Sequence, residues 1–289
     1  IRWLLLRLSR HLPRMRKRRF ILPMEPGKWR EFMKLDRDKQ DLVDFNYVLC
    51  MGLLTSNTIS GEFLDSYKFS IFNTGVPNRQ FNVLFVKEKT SNPMNLLKKG
   101  EQFFEARKLP FRILFREGLE KDFLPLLSQR GYQEAPPETV MTLLDLPDKN
   151  VFQRDLDIRR VSTPEELAHF QGVVEKSYSL PVGSGPCVIT ERIWKMPDTE
   201  LFLGYAGNQP ACTSMLIKTG PAAGIYWVAT LDGFRNHGFG KAITVQSLIA
   251  GRSRGCTFAC LQASVMGKPV YRSIGFDNPY NYPSYNSPE

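Results

Sequence analysis

The chain has 289 residues, of which 42% are hydrophobic and 24% charged, and this balance excludes a disordered or collagen-like protein. Its length is sufficient for two domains with separate hydrophobic cores. The formal net charge of +10 suggests an anionic partner, but eight of the 39 Lys and Arg residues lie in residues 1–23, which contain no acid. The other residues carry 31 bases against 29 acids, so the body of the chain is nearly neutral.

The basic segment 1–23 is open to several interpretations. Its arginines could contact RNA or anionic lipid, or form a transit peptide, while its apolar run from Trp3 to Leu6 is too short for a membrane span. We favour an N-terminal extension that is not native or is disordered, with Met24 as the natural start. No later segment has the roughly 20 apolar residues of a membrane helix, so we predict no membrane partner, and nucleic acid only through this arm.

The cysteines and histidines favour a reducing compartment and no metal site. Cys50, Cys187, Cys212, Cys256 and Cys260 are odd in number and scattered, as in cytoplasmic proteins without a disulfide framework. No second cysteine pair or histidine cluster completes a zinc site with Cys256 and Cys260, because His11, His169 and His237 are dispersed. We therefore predict core thiols, a cytoplasmic protein and no bound metal.

The first predicted unit alternates strands and helices. In chain order it comprises a strand at 81–86 (FNVLFV), a helix at about 94–108, a strand at 111–115 (FRILF), a helix at 119–130, and then Gly131-Tyr132. A break rich in proline and charge at 146–150 follows. It divides the body into two predicted domains, 24–147 and 151–289.

The second predicted domain contains more strands and clearer turn signals. It comprises a strand at 157–161, a helix that starts with a capping pattern at Thr163 to Glu166, three strands (LFLGYA, ACTSMLIK, AGIYWVAT), a helix at 239–253, the strand TFACLQA, a short helix at 269–273, and Gly275-Phe276. Val86 to Gly131 spans 45 residues and Ala229 to Gly275 spans 46. The matching order and spacing predict a duplicated unit.

The segment VATLDGFRNHGFGKA, residues 228–242, leads from a strand through a glycine turn into a helix. Unpaired N–H groups at such a helix start bind phosphate. A P-loop is excluded because Arg235 replaces its first glycine and Ala242 its Ser or Thr. A dinucleotide fingerprint is excluded because Ile243 stands where a small residue is needed. The first unit has KEKTSNPMN at the same place, without a glycine pair.

The turn Arg235-Asn236-His237-Gly238-Phe239-Gly240 resembles the pyrophosphate loop of the GNAT acetyltransferase superfamily. A second motif agrees: LQAS at 261–264, followed by PVYRSIGF at 269–276, places Tyr271 four residues before Gly-Phe, as in the next GNAT motif. The resemblance covers residues 151–276. It implies an α+β chain of two GNAT-like domains, each a mainly antiparallel twisted sheet flanked by helices, of which the first is a degenerate copy.

The resemblance also implies the reaction and its residues. An acyl-CoA, most often acetyl-CoA, would be the co-substrate, and its acyl group would pass directly to an amine in a ternary complex, with Tyr271 as the acid that protonates the leaving thiolate. The cofactor-binding residues it implies are Val228, Ala229, Thr230, Arg235, Asn236, His237, Gly238, Phe239, Gly240, Lys241 and Ser264. Three positions depart from the common pattern: Ser264 replaces asparagine, Asp232 replaces proline, and Gly267 replaces alanine.

Two other functions compete with an acetyltransferase. A duplicated GNAT fold could sense acyl-CoA without turnover, or take its acyl group from aminoacyl-tRNA, in which case the basic arm would grip the acceptor stem. The intact pyrophosphate loop favours coenzyme A. The acceptor amine, the oligomeric state and the general base stay open, although Glu175, Glu191 and Glu200 lie in the right domain.

Overall fold

A computed structural model describes residues 36–152 and 155–288, and the basic segment 1–23 lies outside these described residues. They form one mixed, mainly antiparallel sheet of eleven strands with helices on both faces, which confirms the predicted fold class. No helix within this part of the chain combines the length and the apolar character that a membrane crossing requires.

The strands follow the turn signals of the sequence. Their bounds are β1 (Glu62–Asp65), β2 (Phe69–Asn73), β3 (Asn82–Val86), β4 (Arg112–Phe115), β5 (Gln133–Leu143), β6 (Asp157–Arg160), β7 (Thr199–Ala206), β8 (Gln209–Thr219), β9 (Ala222–Thr230), β10 (Phe258–Ala263) and β11 (Asp277–Asn286). The turns between β7 and β8 and between β8 and β9 use Gly207 and Gly220, both with positive φ, as tight antiparallel connections require.

The helices connect these strands over both faces of the sheet. Their bounds are α1 (Asp36–Asn57), α2 (Pro93–Glu105), α3 (Leu124–Gln129), α4 (Pro164–Ser177), α5 (Gly185–Val188), α6 (Glu191–Trp194), α7 (Phe239–Ser253) and α8 (Gly267–Arg272). Helix α4 begins with the predicted capping box, in which the Thr163 hydroxyl accepts from the Glu166 N–H and the Glu166 carboxylate accepts from the Thr163 N–H.

The sheet order is β1-β2-β3-β4-β11-β5-β10-β9-β8-β7-β6. Two parallel pairs, β3 with β4 and β9 with β10, are each joined by a crossover helix, α2 or α7. These are the two units that the sequence predicts as copies. Whether they are a true tandem duplication stays a prediction, as do the proposed domain boundaries.

The two units exchange their last strands. Strand β5, from the first unit, pairs antiparallel with β10 of the second, and β11, from the second unit, pairs antiparallel with β4 of the first. Strands β5 and β11 also pair with each other at the centre of the sheet. One continuous sheet therefore runs through both halves, an arrangement that the sequence analysis did not predict.

Helix α1 lies across the face of the sheet that carries α4, and it contacts both halves. The Tyr47 ring lies 5.3 Å from Phe85 and 5.4 Å from Tyr282, while Cys50 joins a core cluster with Met215. Helices α2 and α7 cover the opposite face, with Leu84 of β3 among the α2 side chains. The helix α1 was also missed by the sequence analysis.

Four of the five cysteines are buried, as predicted, and Cys187 is half-buried. Burial raises the pKa of Cys50 to about 12 and that of Cys212 to about 12. These thiols therefore stay protonated and pack as small apolar side chains.

Candidate functional site

Strands β9 and β10 form a fork. They pair in parallel only through residues 222–224 and 258–260, after which β9 stays with β8 and β10 stays with β5. A bulge in β9 follows the fork, because the register against β8 shifts between Tyr226 and Ala229, and Trp227 has a φ of +50°. The β10-facing edge of Val228 to Thr230 therefore lacks a neighbouring strand among the described residues.

Helix α7 begins at the open end of this fork without a side-chain cap. Its N-cap residue, Gly238, has φ +79° and ψ 2°, a left-handed conformation that glycine adopts without strain. The backbone N–H groups from Asn236 to Lys241 donate no hydrogen bond to any residue in the described ranges. Six unpaired donors thus lie at or just before the positive end of a 15-residue helix, where a phosphate is favoured.

The two glycines of this turn have different roles. A Cβ at Gly238 would meet open space, so glycine is required there by its φ alone. A Cβ at Gly240 would lie 3.4 Å from Oγ1 of Thr230, and this closeness sets the helix start against the end of β9. Val228 and Phe239 belong to the same apolar cluster, which holds the strand and the helix together.

The charged side chains around the turn are mostly engaged. Arg235 Nη2 lies 2.7 Å from the Asp232 carboxylate, so the acid that departs from the family pattern is neutralised locally. The Lys241 ammonium donates to the Ser273 carbonyl at 2.9 Å and lies 3.8 Å from the centre of the Phe152 ring. His237 is exposed, and its Nδ1 lies 2.8 Å from the Arg235 carbonyl oxygen.

Tyr271 lies on α8, next to the first turn of α7. Its side chain is buried in the same cluster as Phe239, and its ring meets Phe276 edge-on at 5.9 Å. Burial, and to a smaller extent the nearby Tyr178, raises the pKa of Tyr271 well above its usual range. The phenol is therefore protonated at neutral pH, and its hydroxyl makes no hydrogen bond to another described residue.

An aromatic cluster of Tyr178, Trp227 and Phe81 packs beside the unpaired segment of β9. The Tyr178 hydroxyl, at the end of α4, donates to the Val228 carbonyl at 3.2 Å. Trp227, the bulge residue, meets Tyr178 edge-on at 5.3 Å and stacks on Phe81 at 5.1 Å. Phe81 belongs to the first half of the chain, so both halves contribute to this cluster.

The structure brings most of the predicted site residues together and separates others from them. Val228 to Thr230, Arg235 to Lys241 and Tyr271 surround the fork and the start of α7. Ser264 follows β10, and its hydroxyl accepts from the N–H of Gly267, the first residue of α8, at 3.1 Å. The sequence analysis missed Tyr178, Trp227 and Phe81, since an aromatic residue beside a helix or in a strand carries no local signal of function.

Each of the three glutamates considered as a general base has a hydrogen bond or an ion pair within the described residues. Glu175 accepts from the Gly185 N–H at 2.8 Å, and Glu191 forms an exposed ion pair with Lys195. Glu200 contacts Arg254 at 3.2 Å and Arg160 at 3.6 Å. Each one stabilises local structure.

Comparisons with known proteins agree with this geometry. No family model matches the sequence, and no curated protein matches it. Solved structures do match. A GCN5-related N-acetyltransferase from Kribbella flavida aligns with a TM-score of 0.62 at 14% identity, over 86% of this chain and 95% of that one. A GCN5-related N-acetyltransferase from Sphaerobacter thermophilus aligns with a TM-score of 0.59 at 16% identity, over 77% and 81% of the two chains.

A third structure, a GCN5-related N-acetyltransferase-like protein from Streptococcus suis, aligns with a TM-score of 0.52 at 13% identity, over 81% of this chain and 92% of that one. These alignments cover most of both chains, so the likeness extends over the continuous sheet and not over one half alone. The chain has the fold of the GCN5-related N-acetyltransferases, the GNAT superfamily, as the sequence motifs implied.

Proposed function

We propose that this protein is an acyl-CoA-dependent N-acyltransferase that transfers acetyl from acetyl-CoA to an amine. The observation that carries the proposal is the uncapped start of α7, where six backbone N–H groups from Asn236 to Lys241 lie beside the open edge of β9. A diphosphate has the charge and the acceptor oxygens that such a helix start favours. The GNAT fold and the intact glycine loop both support coenzyme A as its carrier.

The edge of β9 provides the second part of the donor site. The pantetheine arm of coenzyme A contains two amides, which can pair with an exposed strand edge as an added strand does. Val228 to Thr230 offer that edge beyond the fork. The arm would then extend from the α7 start towards Tyr271 and the Tyr178 side of the fork, where the thioester carbon meets the acceptor.

Tyr271 suits the acid step of this reaction. A neutral amine attacks the thioester carbonyl carbon, the C–N bond forms, and the tetrahedral intermediate collapses by breaking the C–S bond. The departing thiolate takes the phenolic proton, which a tyrosine carries at neutral pH even at its ordinary pKa of about 10. The amine loses its own proton to solvent, because the structure assigns no base to this step.

The first experiment measures the melting temperature with and without acetyl-CoA. A ligand at 100 times its dissociation constant adds about 2.7 kcal/mol to the free energy of unfolding, so millimolar acetyl-CoA should raise the melting temperature. Gly238→Val should abolish the shift, because a β-branched side chain at φ +79° distorts the turn. Gly118→Val is the matched control, since Gly118 also has a positive φ, +89°, with open space around it, in the first half of the chain.

The control variant separates backbone strain from loss of the site. Both substitutions should lower stability by about 1–2 kcal/mol, the cost of a left-handed conformation in a residue with a side chain. Only Gly118→Val should keep the acetyl-CoA shift. Wild-type protein that shows no shift with millimolar acetyl-CoA or CoA would refute the proposal, and binding without turnover in a broad screen of amines would identify a sensor.

A further inference from the structure

Asn46 of helix α1 lies at the point where β9 and β10 separate. It is 1% exposed, and its side chain contacts three strands. Its Oδ1 accepts from the Tyr226 hydroxyl of β9 at 3.2 Å and from the Cys260 thiol of β10 at 3.1 Å, while its Nδ2 donates to the Thr219 hydroxyl at the end of β8. One amide thus connects β8, β9 and β10 at the fork.

The positions of these partners in the strands are informative. Cys260 is the last residue of β10 that pairs with β9, and Tyr226 is two residues beyond Gly224, the last paired residue of β9. Trp227, the bulge residue, follows Tyr226 directly. Asn46 therefore connects the last paired position of one strand to the first unpaired segment of the other.

The local sequence makes room for this amide. A Cβ at Gly224 would lie 2.7 Å from the Tyr226 ring, 3.0 Å from Asn46 Oδ1 and 3.3 Å from Cys50 Sγ. Only glycine lets the helix side chains approach the strand so closely. Gly224 has an ordinary φ, so close approach is the reason for glycine here, in contrast to the turn at Gly238.

We propose that Asn46 is a positioning residue for the donor site: by holding Tyr226 and Cys260 it fixes where β9 leaves β10, and hence the edge along which the acyl-CoA arm binds. This inference rests on the proposed function for its ligand, but the fork itself exists without one. It gives the first half of the chain a role in donor binding, although that half has no glycine loop. A buried amide is costly unless its groups are paired, and here the pairs bridge strands instead of stabilising α1 alone.

The test uses a matched pair of substitutions. Tyr226→Phe and Tyr280→Phe each remove one phenol that donates to a side chain of α1, Asn46 in the first case and Asp44 in the second. Tyr280 lies on β11, which pairs with β5 and β4 and not with the forked strands. Loss of anchoring of α1 is common to both variants, whereas a change at the fork is expected only for Tyr226→Phe and for Asn46→Ala.

Hydrogen–deuterium exchange of ligand-free protein gives the first readout. The amides of residues 228–230 should exchange several-fold faster in Tyr226→Phe than in wild type, and at the wild-type rate in Tyr280→Phe. Equal rates in both variants would overturn the proposal, because Asn46 would then only anchor α1. This readout needs no ligand, so it decides the role of Asn46 at the fork even if acetyl-CoA binding fails.

Acetyl-CoA titration gives the second readout. Asn46→Ala should weaken acetyl-CoA binding by about tenfold, the scale of one to two lost buried hydrogen bonds, and Tyr226→Phe by about threefold. With an acceptor in hand, the KM for acetyl-CoA should rise while kcat changes little. Unchanged affinity in a folded Asn46→Ala protein would refute the proposal, whereas wild-type protein that does not bind acetyl-CoA would refute the proposed function.

Discussion

Two junctions of this protein each connect the first strand of a parallel pair to its crossover helix, but they differ in how the helix start is capped. In the first, residues 87–92 connect β3 to α2, and the Asn92 side chain accepts from the Asn95 N–H at 2.9 Å while Pro93 has no N–H to satisfy. In the second, residues 231–238 connect β9 to α7, and Gly238 leaves the helix start uncapped. The first helix start thus has a side-chain cap, and the second has none.

The parallel strands next to these junctions also differ, in how far along their length they stay paired. Strands β3 and β4 stay paired through Val86 and Phe115, the last residue of each. Strands β9 and β10 separate after three paired positions. Leu127 stands four residues before Gly131, where the second half has Tyr271 before Gly275. A few local differences therefore distinguish the first half from the half to which we assign the proposed donor site.

The largest expected effect concerns stability in the first half of the chain. Burial raises the pKa of Asp44 to about 6, with Asp41 acting in the same direction and Tyr282, Arg116 and Tyr280 acting against it. The unfolded chain ionises Asp44 near pH 4, so the contribution of Asp44 to stability falls as pH rises from about 4 to about 6 and is constant above. The difference is about 3 kcal/mol for two pKa units.

The measurement compares denaturant unfolding of wild type and Asp44→Asn across this pH range. The free energy of unfolding of Asp44→Asn, measured relative to that of wild type, should rise as pH rises from about 4 to about 6. Acetyl-CoA affinity should be equal in the two proteins at every pH, if stability and donor binding belong to different regions. A gap that does not change with pH would contradict the assigned pKa.

Tyr271→Phe should lower turnover by about 10²-fold, the low end of the range for a general acid, because water can partly replace the phenol. Acetyl-CoA affinity should be kept, since the ring that packs beside Phe276 is retained. Tyr132→Phe is the control from the first half, where the Tyr132 hydroxyl lies 3.3 Å from Glu101 and is equally buried. Steady-state kinetics with an identified acceptor should show a loss only for Tyr271.

Gly238→Asp should weaken acetyl-CoA binding by at least about tenfold relative to Gly238→Asn. The two side chains have nearly the same shape, and both residues tolerate positive φ better than others do. The carboxylate would repel a diphosphate at the start of α7, and this repulsion should decrease as salt is added. Equal affinities of the two variants would mean that no anion binds at this turn.

Asn92→Ala should have the smallest effect, a loss of about 1 kcal/mol in the free energy of unfolding, which is typical for removal of an N-cap. It should leave acetyl-CoA binding unchanged, because the proposed donor site lies at the start of α7 and not at α2. Thermal denaturation with and without acetyl-CoA measures both quantities. An affinity that falls together with stability would show that the two junctions are coupled.

Local signals in the sequence were sufficient for many elements. The helix predicted at 239–253 matches α7, and the capping pattern at Thr163 marks the start of α4, because caps, glycine turns and apolar periodicity act within a few residues. The helix predicted at 119–130 is instead a short 3₁₀ turn at Glu120–Asp122 followed by α3. Pro125 is compatible with the first turn of α3 but not with the interior of one longer helix.

The parts that escaped prediction depend on distant residues. Strand β5 contains two consecutive prolines and exposed polar residues, so its role as a central strand follows from its pairing with β10 and β11 and not from its own pattern. In the sequence, Asn46 resembles any other polar residue of a helix. Its role depends on a contact with Tyr226, which lies 180 positions later in the chain. The glycine loop was visible in the sequence, whereas the residues that fix the fork were not.

The exchanged strands affect how the chain reaches this structure during synthesis. Strand β5 emerges from the ribosome soon after β4, whereas β11, the actual neighbour of β4, emerges only when nearly all of the second half has been made. In the meantime β4 has an open edge, and β5 is the strand close enough to occupy it. Either β4 forms its outer pairing late, or β5 pairs with β4 first and is later displaced by β11. Slow refolding, or association of partly made chains, would then arise at the open edge of β4.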